Sequence, residues 1–70
     1  MKQVQASMAG TVWKVLVAVG DQVEIGQDVI ILESMKMEIP VQAEAAGQVK
    51  TIKVEEGSYV GDGEVMIELE

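Results

Sequence analysis

Seventy residues with neither cysteine nor histidine are too few for a large enclosed active site, and they rule out disulfides, thiolate or zinc centres and imidazole-based hydrolytic triads. A formal charge of −7 argues against nucleic acid and anionic membranes, which need basic patches, and favours solubility and basic protein partners. Twelve valines and six isoleucines, with no phenylalanine and seven glycines spaced along the chain, point to an all-β domain of short strands.

In chain order, residues 2–6 predict a first strand. The start contains no apolar leader core, and no run approaches the roughly 18 apolar residues of a membrane span, so a cytoplasmic protein is expected. A strand follows around 10–17, then a turn at Gly20-Asp21, a short strand near 22–24 and a third at 28–33. Residues 37–43 form another strand, with Ile39, Val41 and Ala43 alternating at strand period. The remaining chain gives strands around 47–54, 59–61 and 65–69.

These elements form an internal repeat. Residues 8–33 align without a gap onto residues 45–70 at an offset of 37. Gly10, Gly20 and Gly26 meet Gly47, Gly57 and Gly63, and Val12, Val17, Val23, Ile30, Leu32 and Glu33 meet identical residues of the second copy. Glycines in the same register imply turns in the same register, because glycine takes positive φ without steric cost. Two copies too small to bury a face alone are expected to stack about a pseudo-twofold axis into a two-layer barrel or sandwich of about eight strands. The whole of 1–70 is read as one domain, with the copies 8–33 and 45–70 on either side of a hairpin at 34–44.

The hairpin is the chemical centre of the sequence. Leu, Glu, Met and Lys over 28–39 are good helix formers, but Val29 to Glu33 match the end of the second copy and Pro40 would interrupt a helix. The chain therefore reverses between Ser34 and Met37, with Met35-Lys36 at the tip. Tight primed turns normally use Asn-Gly or Asp-Gly, and this tip has no such residue. A local rule broken with no local gain marks a functional site. The plainer alternative is a solvated lysine beside two incidental methionines.

The stretch Glu33-Ser34-Met35-Lys36-Met37-Glu38-Ile39 resembles the attachment motif of biotinyl domains, whose core is Ala-Met-Lys-Met or Met-Lys-Met. Gly10-x-Val12, the turns at Val19-Gly20-Asp21 and Glu56-Gly57-Ser58, and the repeat extend the resemblance to the biotinyl/lipoyl carrier family over essentially the whole chain. The resemblance implies a flattened barrel of two four-stranded antiparallel sheets, a hammerhead with the modified lysine on a β-turn at one end and both termini at the other. Ser34 departs from the usual alanine toward lipoyl domains, whereas Met35 and Met37 favour biotin. Ala6-Ser7-Met8-Ala9-Gly10 lacks the family's prolines, and the ungapped repeat leaves no room for a protruding thumb.

The function implied is that of a non-catalytic carrier. An exposed lysine amine is mostly ammonium at neutral pH, so Lys36 is not expected to acylate itself. A biotin protein ligase would supply the deprotonating environment and an activated acyl-adenylate, forming an amide with Lys36. Glu33, Ser34, Met35, Met37 and Glu38 would be the recognition residues, the methionines tuning partner choice through flexible thioethers. Biotin on Lys36 would then carry a carboxyl group between a biotin carboxylase and a carboxyltransferase, in a monomeric carrier tethering one reactant. Lipoic acid, attached by a lipoate ligase, is the alternative cofactor, alone or with biotin; an unmodified interaction module is the second alternative. Phosphopantetheine on Ser34 fits poorly with an all-β fold, and a lone lysine offers no acid–base pair for self-sufficient catalysis.

Comparing the copies exposes one asymmetry. Trp13 and Leu16 align with Lys50 and Lys53. The first copy therefore either presents an apolar patch where the second is charged, or has Trp13 covered by the N-terminal strand or a barrel edge.

Overall fold

The computed structural model describes residues 2–70, so only residue 1 of the predicted domain lies outside it. Its eight strands are β1 (Lys2–Gln5), β2 (Gly10–Val15), β3 (Gln22–Val23), β4 (Asp28–Ser34), β5 (Met37–Gln42), β6 (Gly47–Ile52), β7 (Tyr59–Val60) and β8 (Val65–Leu69). They form two four-stranded antiparallel sheets, ordered β1-β8-β6-β3 and β5-β4-β2-β7. A shift of 37 residues carries the strands of one sheet onto those of the other, so the sequence repeat becomes a pseudo-twofold relation. Each sheet mixes strands from both halves of the chain.

The core lies between the sheets and is aliphatic. Val12, Val23, Val29, Ile30 and Leu32 from the first half meet Val49, Val60, Met66, Ile67 and Leu69 from the second, all essentially inaccessible. No polar or charged residue is buried among the described residues. Full burial of one such aliphatic side chain stabilises by about 1.5–3 kcal/mol. The strands around 10–17 and 47–54 end two residues early, yet Val17 and Val54 stay buried. The apolar pattern continues past the sheet because the chain still packs on the core as it turns.

Turn chemistry also repeats at the offset of 37. Asp21 Oδ2 accepts from the Ala18 N–H at 2.9 Å, and Ser58 Oγ accepts from the Glu55 N–H at 3.1 Å. Gln27 Oε1 accepts from Glu24 N–H and Glu64 Oε1 from Gly61 N–H. Within these four turns Gly20, Gly26, Gly57 and Gly63 take φ of 96°, 86°, 96° and 83°, the conformation that a Cβ disfavours.

β2 fixes where the hairpin stands. It begins against the hairpin's base, where a Cβ on Gly10 would lie 2.9 Å from the Glu33 carbonyl oxygen. Beyond its far end the chain crosses to the other sheet: Gly20 N–H donates to the Val49 carbonyl, and Val23 pairs with Gly47. That region adjoins the chain ends, since Glu70 N–H donates to the Gln48 carbonyl and Lys2 pairs with Leu69. The β4–β5 hairpin and the two ends of the described chain thus occupy opposite ends of a body measuring 32 × 19 × 18 Å.

Candidate functional site

The hairpin is built from its ladder outward. β4 and β5 pair from Asp28 with Gln42, through Leu32 with Ile39 and Glu33 with Glu38, to Ser34 with Met37. Only Met35 and Lys36 remain to reverse the chain. Both have positive φ, 53° and 64°, as a two-residue primed turn demands. Left-handed backbone costs a residue with a Cβ roughly 1–2 kcal/mol. The ladder outweighs that cost, because Val29, Ile30, Leu32 and Val41 on its strands are all buried.

The tip places its side chains in solvent. Met35 is 91% exposed and Met37 63%, and Lys36 between them is exposed. Among the described residues Lys36 makes no hydrogen bond or ion pair; the one ion pair there, Lys53 with Glu68 at 3.8 Å, is on the other sheet. The Lys36 side-chain nitrogen is therefore presented to solvent with no partner among the described residues. Two exposed thioethers flank it, offering apolar contact to whatever closes over the tip.

The remaining predicted residues sit at the base. Ser34 is half-buried, whereas Glu33 and Glu38 are exposed and directly opposite one another. Like charges in that arrangement destabilise a sheet. The six residues from Glu33 to Glu38 thus form one contiguous surface at one end of the molecule. Sequence reasoning missed Thr11 and Tyr59, which extend the Glu33–Glu38 row across the sheet: Thr11 pairs with both Glu33 and Tyr59. The only sequence signal for Tyr59 was that it aligns with Gln22 in the first copy.

Trp13 and Leu16 are 45% and 49% exposed. β1 does not cover Trp13, because it pairs with β8 in the other sheet.

The comparisons with known proteins agree with this geometry. A family described as "Biotin-requiring enzyme", of biotin/lipoyl type, matches residues 2–69. The chain is 56% identical over 66 residues to the biotin/lipoyl attachment protein of Bacillus subtilis, a match covering 94% of this chain and 90% of that protein. It is 48% identical over 62 residues to the biotin carboxyl carrier protein of Streptococcus mutans, covering 89% of this chain and 48% of that one. Among solved structures, the urea carboxylase of Kluyveromyces lactis matches with a TM-score of 0.87 and 37% identity, over 96% of this chain but 6% of the enzyme.

Proposed function

This chain belongs to the biotin/lipoyl attachment family, and we propose on that premise that it carries biotin on Lys36. It is a small non-catalytic carrier domain related to the carrier domains of carboxylases. The observation that carries the assignment to Lys36 is its position in the turn: an exposed amine on positive-φ backbone, with Met35 and Met37 on either side.

Each residue of the hairpin then has a task. The two-residue turn holds Lys36 Nζ beyond the sheet, where the active site of a biotin protein ligase encloses it. The ligase removes the ammonium proton, and Nζ attacks the carbonyl carbon of the biotinyl-adenylate. An amide bond forms and AMP leaves with the electrons of the broken acyl–phosphate bond. Met35 and Met37 provide the apolar contacts that orient the tip, and Glu33, Ser34 and Glu38 shape its base. Biotin on Lys36 would supply a ureido nitrogen that takes up a carboxyl group at a biotin carboxylase and gives it up at a carboxyltransferase. Tethering raises the effective concentration at both sites.

Lipoylation is the second reading, favoured by Ser34 and by the similarity to an attachment protein named for both cofactors. One preparation incubated separately with purified biotin and lipoyl ligases, followed by intact mass and peptide mapping, tests both. A single biotinyl mass on Lys36 is expected. A lipoyl mass alone moves the assignment to the second reading, and no mass gain with either ligase removes both.

A further inference from the structure

We propose that the outer face of the hairpin-bearing sheet, centred on Trp13 and Tyr59, is the docking surface for the modifying ligase, an inference that rests on Lys36 as the acceptor. Tyr59, Thr11, Glu33 and Glu38 form one cross-strand row. That row lies one residue below the Ser34–Met37 pair bounding the tip. Trp13 follows on the same strand as Thr11, in a bulge between Val12 and Lys14. Tyr59 is 71% exposed and Trp13 nearly half, so the sheet offers two large aromatic side chains beside the lysine.

Scattered exposed apolar residues are ordinary on protein surfaces, but the opposite sheet supplies an internal control. It has the same bulge, between Val49 and Thr51, and there the exposed residue is Lys50. Gln22 stands at the place of Tyr59. The same backbone is thus built with polar side chains at both positions, and nothing in the fold requires aromatics at either. Aromatics are the residues enriched where one protein buries its surface on another.

Reach and charge select the occupant. A lysine places Nζ only about 6 Å from its own Cα, so an enzyme that acylates this nitrogen inside its own site must close over the rows beside the tip. After attachment the arm is longer by the whole cofactor chain, and later enzymes reach its end without covering the Tyr59 row. Glu33 and Glu38 have no cationic partner among the described residues. The complementary ligase surface is accordingly apolar, with basic side chains on the hairpin side. The same carboxylates, together with the formal charge of −7, disfavour a second copy of this chain as the occupant.

The test installs the side chains that the symmetry-related positions already hold. The double variant Trp13→Lys/Tyr59→Gln is compared with the unaltered chain as substrate for purified biotin protein ligase with ATP and biotin, its fold checked by circular dichroism. The expected result is a KM for the carrier raised by about tenfold or more, with kcat within about twofold. Lys50→Ala, in the bulge of the opposite sheet, is expected to change neither. An unchanged KM in a folded, biotinylated double variant overturns the docking face and leaves Lys36 as the acceptor. An unaltered chain that the ligase does not modify overturns both. Should the double variant not fold, Tyr59→Gln alone, an exposed change on a two-residue edge strand, takes its place. A raised KM then supports the docking face, and an unchanged one overturns it.

Discussion

Gly20, Gly26, Gly57 and Gly63 take up the positive-φ backbone in connections that only have to turn the chain, whereas at the hairpin tip the same conformation falls on Met35 and Lys36. The glycine turns have no strain to offset and carry no chemistry. The tip accepts strain at two consecutive residues and keeps both side chains in solvent. Since this chain uses glycine at the other positive-φ positions described, the tip residues are there for their side chains. A better turn was available, and the lysine and methionine outweigh it.

The sharpest way to break the contrast is Lys36→Arg, which keeps the charge and the strained backbone but removes the primary amine proposed as the acceptor. Biotin incorporation by purified ligase should fall to zero in the intact mass, with stability within about 0.5 kcal/mol of the original. Gly20→Ala, in the turn before β3, should do the reverse. Urea unfolding is expected to show a loss of about 1–2 kcal/mol from the strained φ, while the ligase modifies the folded protein at the original rate. Met35→Asn sharpens the comparison, because asparagine tolerates the left-handed region. A gain of roughly 0.5–1 kcal/mol in melting experiments is expected, accompanied by slower biotinylation; a gain in both would separate the methionine from recognition. The smallest effect is that of Glu38→Gln, which relieves the like-charge pair with Glu33. It should stabilise by about 0.2–0.5 kcal/mol, and the gain should shrink as salt is added.

The turns were legible because glycine reports backbone geometry directly: the pairs Gly20/Gly57 and Gly26/Gly63 match in the sequence and again in φ. The hairpin was legible by elimination, since Pro40 and the repeat forbade a helix and left only Met35-Lys36 to reverse the chain. The exchange of strands between sheets was not legible. β3 and β7 have two residues each, too few for an apolar alternation that names a neighbour. The bulge at Trp13 was hidden for a related reason: an extra residue resets the phase of side-chain alternation, so no periodicity assigns the indole to a face. At the candidate site, Tyr59 escaped notice because a single aromatic on a two-residue strand has no sequence context to mark it.

The offset of 37 extends beyond the aligned copies into the pairing of the edge strands. Leu32 with Ile39, Ile31 with Pro40 and Ile30 with Val41 correspond to Leu69 with Lys2, Glu68 with Gln3 and Ile67 with Val4. In topology, residues 2–70 trace a ring of two equal units with two equivalent vertices, one turned by Met35-Lys36 and the other lying where Lys2 and Glu70 come together. A copied Ser-Met-Lys-Met-Glu segment, put in place of residue 1, has the length needed to join Glu70 to Lys2. The circular product would carry an exposed Met-Lys-Met tip at each end of one core, and cutting either vertex would return a linear chain with its tip at the opposite end.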